Sequence, residues 1–162
     1  MSSFGAGAPG LLGAPAPEFE LPDQHGSAVR LSGLRGRPVI VVFFPFAFTG
    51  VCTGELTAIR DSVVPAVGGS AAVLAISCDS MFALRVFAET TGLDFPLLSD
   101  FWPHGGTASS YGVFDHVRGC AIRGTFVVDA EGIVRWSVVN ALPDARDVDQ
   151  YVRVLAELGG RP

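Results

Sequence analysis

The stretch Val39-Ile40-Val41-Val42-Phe43-Phe44-Pro45-Phe46-Ala47-Phe48-Thr49-Gly50-Val51-Cys52 decides the fold. Val39–Phe44 is a continuous apolar run of β-branched and aromatic residues, which predicts a strand buried on both faces. Pro45 lacks an N–H and ends it. From Gly50 to about Val64, the residues Cys52, Leu56, Ile59 and Val63 recur at helical spacing on one face. A strand therefore passes through a short turn into a helix. Ala71–Ser77 repeats the buried-strand pattern, and Met81–Thr90 predicts a second helix ending near Gly92. Phe19–Leu21 and Ala28–Leu31 flank Asp23-Gln24-His25-Gly26 as a short hairpin. Thr125–Val128 and Ile133–Val139 form a second hairpin around Asp129-Ala130-Glu131-Gly132. Asp147–Leu158 reads as a final amphipathic helix. Residues 1–17, rich in Gly, Ala and Pro, read as a loose arm, and residues 99–122 as a long, aromatic loop of the kind that is usually functional. The sum is an α/β layered fold with a mixed central sheet flanked by helices, in one domain over residues 18–162.

Composition narrows the function. Of the 162 residues, 49% are hydrophobic and only 17% charged, which excludes a disordered chain. The net charge is −5 and no basic stripe stands out, which argues against nucleic acid as a partner. No Lys or Arg precedes Arg30, so the charged start of a signal peptide is missing. The longest apolar run, Val39–Phe48, is broken by Pro45 and too short to span a bilayer. A cytoplasmic protein without membrane association is the expectation. Cys52, Cys78 and Cys120 are too few and too uneven for a disulfide framework; in such a compartment they are buried, catalytic or redox-active. His25, His104 and His116 have no metal-ligand spacing with them, and His104 reads as structural.

Cys52 is the most informative of the three. With Thr49 as N-cap, it takes the third helical position, among open N–H groups and the positive end of the helix dipole. Such placement lowers a thiol pKa in general. It also lies on the apolar face, which puts it at the base of a pocket. Helix position alone leaves open that it is a small buried hydrophobe.

Pro45, Thr49 and Cys52 match Pro-x-x-x-Thr-x-x-Cys, the active-site signature of peroxiredoxins. The resemblance continues through Ala16-Pro17-Glu18-Phe19 with Asp23, Ile76-Ser77-Cys78-Asp79, Phe95-Pro96-Leu97-Leu98-Ser99-Asp100 and Arg123-Gly124-Thr125-Phe126-Val127-Val128-Asp129. The segments Phe44–Cys52 and Ser99-Asp100-Phe101-Trp102-Pro103-His104-Gly105 most resemble the alkyl hydroperoxide reductase E-type, one-cysteine branch of actinobacteria. The resemblance implies a thioredoxin-like fold, no cofactor or metal, a homodimer, and a thiol-dependent peroxidase acting on hydrogen peroxide and organic hydroperoxides.

It also implies roles. Cys52 would attack the O–O bond and become a sulfenic acid. Thr49 would hydrogen-bond the peroxide, Arg123 would hold the thiolate and polarise the substrate, and Pro45 would shield the sulfenate. Each has a plainer reading: a helix cap, a surface Arg, a strand end. Glu55 either orients Arg123 by an ion pair or is a solvated helix charge. Phe46, Phe48, Phe101 and Trp102 either line the pocket or serve core packing or a dimer contact. A lowered pKa cannot carry the rate by itself. Taking a thiol from pKa about 8.5 to about 6 raises its thiolate fraction near thirtyfold at pH 7, but costs roughly tenfold in intrinsic nucleophilicity. The leaving oxygen must be stabilised as well.

The sulfenic acid must then be reduced. A resolving cysteine five residues after Cys52 is absent, since position 57 is Thr, and no cysteine follows Cys120. This fits an external thiol reductant: a low-molecular-weight thiol or a thioredoxin-like or glutaredoxin-like protein. Cys78 and Cys120 remain candidate resolving residues. A thioredoxin-like disulfide oxidoreductase is a competing reading, weakened by the missing Cys-x-x-Cys; a thiol redox sensor on the same scaffold is another.

Overall fold

The computed structural model describes residues 11–139 and 153–157. The small hairpin forms as β1 (Glu20–Pro22) and β2 (Ala28–Arg30), with Leu21 opposite Val29. The Asp23 carboxylate closes its turn by accepting the His25 and Ser27 N–H groups. The buried run becomes β3 (Val39–Phe43), with every residue buried. It leads into α1 (Gly50–Ala58), which continues through a π-helical turn, Ile59–Val63, into the short α2 (Val64–Val67). The helical stretch is thus a little longer than predicted. Its apolar face is as expected: Cys52, Leu56, Ile59 and Val63 are all buried. Next come β4 (Ala72–Ser77) and α3 (Met81–Thr91). α3 is capped by the Ser80 hydroxyl, which accepts the Ala83 N–H, and ends at Gly92 in the left-handed region (φ 74°).

The rest of the central sheet is β5 (Leu97–Ser99), β8 (Gly124–Val128) and β9 (Val134–Val139). Strand order is β5-β4-β3-β8-β9, parallel among β5, β4 and β3 and antiparallel at β8 and β9. The sheet is mixed, as the segment pattern predicts. Residues 99–122 are not one long loop. They contain α4 (Gly106–Ser110) and a two-pair hairpin of β6 (Phe114–Asp115) and β7 (Cys120–Ala121). Elements this short fall below the length at which periodicity registers.

Side chains alternate across β3 and divide the core in two. Ile40, Val42 and Phe44 face α1 and α3, packing with Leu56, Ile59, Leu84 and Phe87. Val39, Val41 and Phe43 face the other way, with Leu74, Tyr111 and Phe126. Tyr111 sits between the Phe43 and Phe126 rings, at 5.2 and 5.0 Å, and its hydroxyl donates to the Pro17 carbonyl at 2.7 Å. The C-terminal part of the expected arm is therefore tied down: the Gly13 N–H also bonds the Val134 carbonyl, and the Ala16 N–H that of Gly132. Residues 1–10 lie outside the described residues. So does most of the expected final helix; residues 153–157 are helical, with Leu155 buried against the α1 side of the core.

Candidate active site

The register of the sheet assembles the site. Phe43, the last residue of β3, lies opposite Gly124, the first of β8, and beside Ile76, near the end of β4. Three chain segments therefore meet at one sheet edge. They are the 44–52 turn and helix start, the residues just after β4, and Arg123 just before β8. Asp100, immediately after β5, belongs to the same edge.

α1 begins where expected, with Thr49 as the N-cap residue in an extended conformation and Cys52 as its third residue. The Thr49 hydroxyl does not cap the helix. It donates instead to the Phe46 carbonyl at 3.1 Å. No side chain of the cap thus competes for the N–H groups at the start of α1, which keep their favourable field for negative charge.

Cys52 is 1% exposed and Arg123 is 2% exposed. The Arg123 Nη2 lies 3.6 Å from the Cys52 Sγ. One helical turn on, Glu55 is also buried, and its Oε1 lies 3.4 Å from the Arg123 Nε. Cys52 and Glu55 share a helix face (i, i+3) and engage the same guanidinium. The surface-Arg reading of Arg123 and the solvated-charge reading of Glu55 are both set aside by this burial. Arg123 Nη1 is buried and has no hydrogen-bond partner among the described residues. A buried, unpaired donor on a guanidinium that also meets a thiol is able to polarise an oxygen brought to that point. At 3.6 Å and an effective dielectric of 20, the attraction between a guanidinium and a thiolate is about 4–5 kcal/mol, before the opposing influence of Glu55.

Pro45 is buried at the turn, while Thr49 is exposed at its mouth. Phe48 adopts φ 71°, unusual for a bulky residue, and its ring packs edge-on against Phe87 of α3 at 5.1 Å. The four aromatics expected at a pocket do not enclose one. Phe46, Phe48, Phe101 and Trp102 are 41%, 57%, 52% and 79% exposed. All four present apolar surface to solvent. The cavity of about 300 Å³ lined by Leu34, Val64, Val67, Ala71, Phe95 and Pro96 lies at the opposite end of the sheet, away from Cys52.

Cys78 and Cys120 are buried free thiols. Burial pushes the Cys78 thiol up to about 12, reinforced by Asp100, Cys120 and Asp79, although the Ala121 N–H faces its sulfur and offsets part of this. Burial also raises Cys120, and Asp115 adds to that rise. Neither resembles an activated nucleophile. His104 is structural, as expected: its ring nitrogens lie 2.7 Å from the Gly119 carbonyl and 3.3 Å from that of Phe101. Sequence reading missed Asp100. Its buried carboxylate accepts the Thr107 and Ala108 N–H groups and starts α4; burial raises its pKa. Among the described residues, no group of three or more His, Cys, Asp or Glu is placed to hold a metal ion.

The raised Cys78 thiol has a pH consequence. Its folded value lies above the unfolded value of about 8.5, so its stabilising contribution is complete below that pH and is lost as pH climbs toward 12. The urea midpoint is expected to fall between about pH 9 and 11, and to fall less steeply in Cys78→Ser. Equal slopes in the two proteins would remove Cys78 from this linkage.

A family model described as the AhpC/TSA family matches residues 12–137. The chain is 45% identical over 148 residues to alkyl hydroperoxide reductase E of Mycobacterium tuberculosis, covering 91% of this chain and 97% of that one. It is 34% identical over 154 residues to peroxiredoxin-2 of Bos taurus, covering 89% and 76%. Among solved structures, peroxidoxin BcpB from Mycobacterium tuberculosis superposes with a TM-score of 0.81 at 32% identity, covering 91% of this chain and 97% of that one. AhpC of Enterococcus faecalis does so with a TM-score of 0.82 at 27% identity, covering 94% and 97%.

Proposed function

The chain belongs to the AhpC/TSA family and is a thiol-dependent peroxidase of the peroxiredoxin type with a thioredoxin-like fold; from that premise we infer that Cys52 is the sulfur that takes the peroxide oxygen. The observation that carries this is the buried Arg123 Nη2 at 3.6 Å from the Cys52 Sγ, at the start of α1.

The step balances simply. The Cys52 thiolate attacks the hydroxyl oxygen of a hydroperoxide, an S–O bond forms as the O–O bond breaks, and the product is Cys52 sulfenic acid plus an alkoxide or hydroxide. Solvent protonates that leaving group. The sulfur is oxidised by two electrons and the peroxide is reduced by two. Arg123 lowers the energy of charge on the sulfur and, through Nη1, meets the oxygen where charge develops. The Thr49 hydroxyl spends its proton on the Phe46 carbonyl, leaving its lone pairs to accept the peroxide O–H. Pro45, buried in the same turn, is the residue we assign to shielding the sulfur from water. Glu55 holds the guanidinium from the far side of the sulfur contact.

Reset is by an external thiol. One equivalent displaces water from the sulfenic acid to form a mixed disulfide, and a second releases the reduced enzyme. A low-molecular-weight thiol or a thioredoxin-like or glutaredoxin-like protein fits that chemistry. The burial and raised thiols of Cys78 and Cys120 support this route over an internal one. Hydrogen peroxide is the smallest substrate of this class, and the exposed apolar rings of Phe46, Phe48, Phe101 and Trp102 would suit organic hydroperoxides as well. The same exposed aromatics, with Phe82 and Val86 on one face of α3, suit burial against a second copy in a homodimer. Three free thiols fit the reducing cytoplasm. No helix among the described residues is long and apolar enough to cross a membrane.

The test is one equivalent of peroxide followed by intact and peptide mass spectrometry. The expected product is a gain of one oxygen at Cys52, trappable by a sulfenic-acid reagent, with Cys78 and Cys120 still free. A link from Cys52 to either cysteine would overturn the external reset.

A further inference from the structure

The turn that carries Pro45 and Thr49 has one internal side-chain bond, from Thr49 to the Phe46 carbonyl, and is otherwise held from outside. Phe48 sits at φ 71°, a conformation that costs a bulky residue on the order of 1–3 kcal/mol and persists only where the surroundings enforce it. On the α3 side, the Phe48 ring rests on Phe87. On the sheet side, the polar attachment is a carboxylate 32 residues away: the Ala47 N–H donates to the Asp79 Oδ2 at 2.9 Å. Ala47 is buried, so that N–H would otherwise be cut off from water.

Asp79 is itself held from several directions. The Ser77 hydroxyl, at the end of β4, donates to the same Oδ2 at 2.7 Å. The Asp79 N–H returns to the Ser77 Oγ at 3.3 Å. The Asp79 carbonyl accepts the Ser99 hydroxyl, from the end of β5, at 2.6 Å. Ser77 and Ser99 are both buried. β4 therefore holds the carboxylate oxygen through Ser77, β5 holds the Asp79 main chain through Ser99, and that oxygen in turn holds the middle of the turn.

We propose that Asp79 is a positioning residue for the peroxidase step: it pins the Pro45–Thr49 turn so that the Thr49 hydroxyl and the Pro45 wall stay over the Cys52 sulfur. It touches neither substrate nor sulfur, and acts through the Ala47 N–H. The Arg123–Cys52 contact does not pass through it, because Arg123 reaches the sulfur from the residue just before β8. Loss of the tether thus separates two properties that the site otherwise joins. Nucleophilicity of the sulfur stays, and placement of the peroxide is lost. An ångström of misplacement in a reacting geometry costs up to about a hundredfold in rate.

This reading rests on Cys52 being the peroxidatic sulfur, and the experiment separates the two. Wild type, Asp79→Ala and Asp79→Asn are compared for the second-order rate of oxidation by hydrogen peroxide and, separately, for alkylation of Cys52 by iodoacetamide. Alkylation needs the thiolate but neither Thr49 nor Pro45. Asp79→Ala is expected to lose about tenfold to a hundredfold in peroxide rate while its alkylation stays within about twofold of wild type. Asp79→Asn keeps an oxygen that can accept from Ala47 and Ser77, so it is expected to stay within about threefold in both. The proposal is overturned if Asp79→Ala matches wild type with peroxide, if Asp79→Asn is as slow as Asp79→Ala, or if the two reactions fall together. Should Asp79→Ala fail to fold, Ser77→Ala loosens the same carboxylate without removing it, and a wild-type peroxide rate there overturns the proposal equally. A wild-type protein whose Cys52 is not oxidised would instead refute the function, whatever the variants do.

Discussion

Cys52→Ser is expected to abolish peroxide consumption, a loss of at least about a thousandfold, while Cys78→Ser and Cys120→Ser keep the first oxidation step. The reason is chemical before it is structural. A serine hydroxyl is not ionised near neutral pH, and its oxygen cannot form the stable S–OH product. The isosteric change disturbs little else, because the Arg123 Nη2 that faces Sγ can meet a hydroxyl at the same point. The contrast among the three cysteines comes from their neighbours. Cys52 has a guanidinium beside it and the start of α1 around it. Cys78 is buried, and that burial, reinforced by Asp100, Cys120 and Asp79, pushes its thiol up to about 12. Stopped-flow oxidation of the three single variants reads the difference directly. Peroxide consumption at wild-type rate by Cys52→Ser would move the chemistry to another sulfur.

Arg123→Ala is expected to slow that oxidation by at least tenfold. Its side chain serves the sulfur through Nη2 and offers the unused Nη1 donor to the incoming oxygen, so its removal affects both ground state and transition state. Stability should fall as well, since breaking a buried ion pair by deleting one partner costs about 3–5 kcal/mol. Arg123→Lys separates the two effects. One ammonium restores a positive charge near Glu55 but cannot present two nitrogens in the fixed fork that spans Glu55, the sulfur and a substrate. We expect Lys to recover much of the stability and little of the rate. A wild-type rate in either variant would remove Arg123 from the mechanism.

Long periodic segments made most of the fold legible in the sequence. Val39–Phe44 announced the central strand because β-branched and aromatic residues pack well in a doubly covered sheet. Cys52, Leu56, Ile59 and Val63 announced the face of the helix that follows. Leu97–Ser99, Gly106–Ser110 and the Phe114–Asp115/Cys120–Ala121 pair escaped because two to five residues cannot express a period; tertiary packing defines them, through Tyr111 and the buried Asp100 carboxylate.

The site was legible in part for the same reason. Cys52, Thr49 and Pro45 lie within eight residues and carry a local signature. Arg123 and Glu55 meet only because Phe43 pairs with Gly124, a register that no local pattern reports. Thr49 stood at the expected N-cap position, but its hydroxyl donates to the Phe46 carbonyl and makes no cap hydrogen bond. Of the readings open for Phe46, Phe48, Phe101 and Trp102, their exposure argues against core packing, and composition could not tell an outward ring from an inward one.

The long chain separation between the sulfur and its guanidinium has a consequence for biosynthesis. While the ribosome has released the segment bearing Cys52 but not yet the strand that follows Arg123, the emerging polypeptide holds an ordinary thiol with nothing to sharpen it. If Arg123 activates Cys52 as proposed, fast reaction with peroxide is expected only once β8 has paired with β3. On that reading, the speed of reaction with peroxide reports how much of a population has completed its sheet.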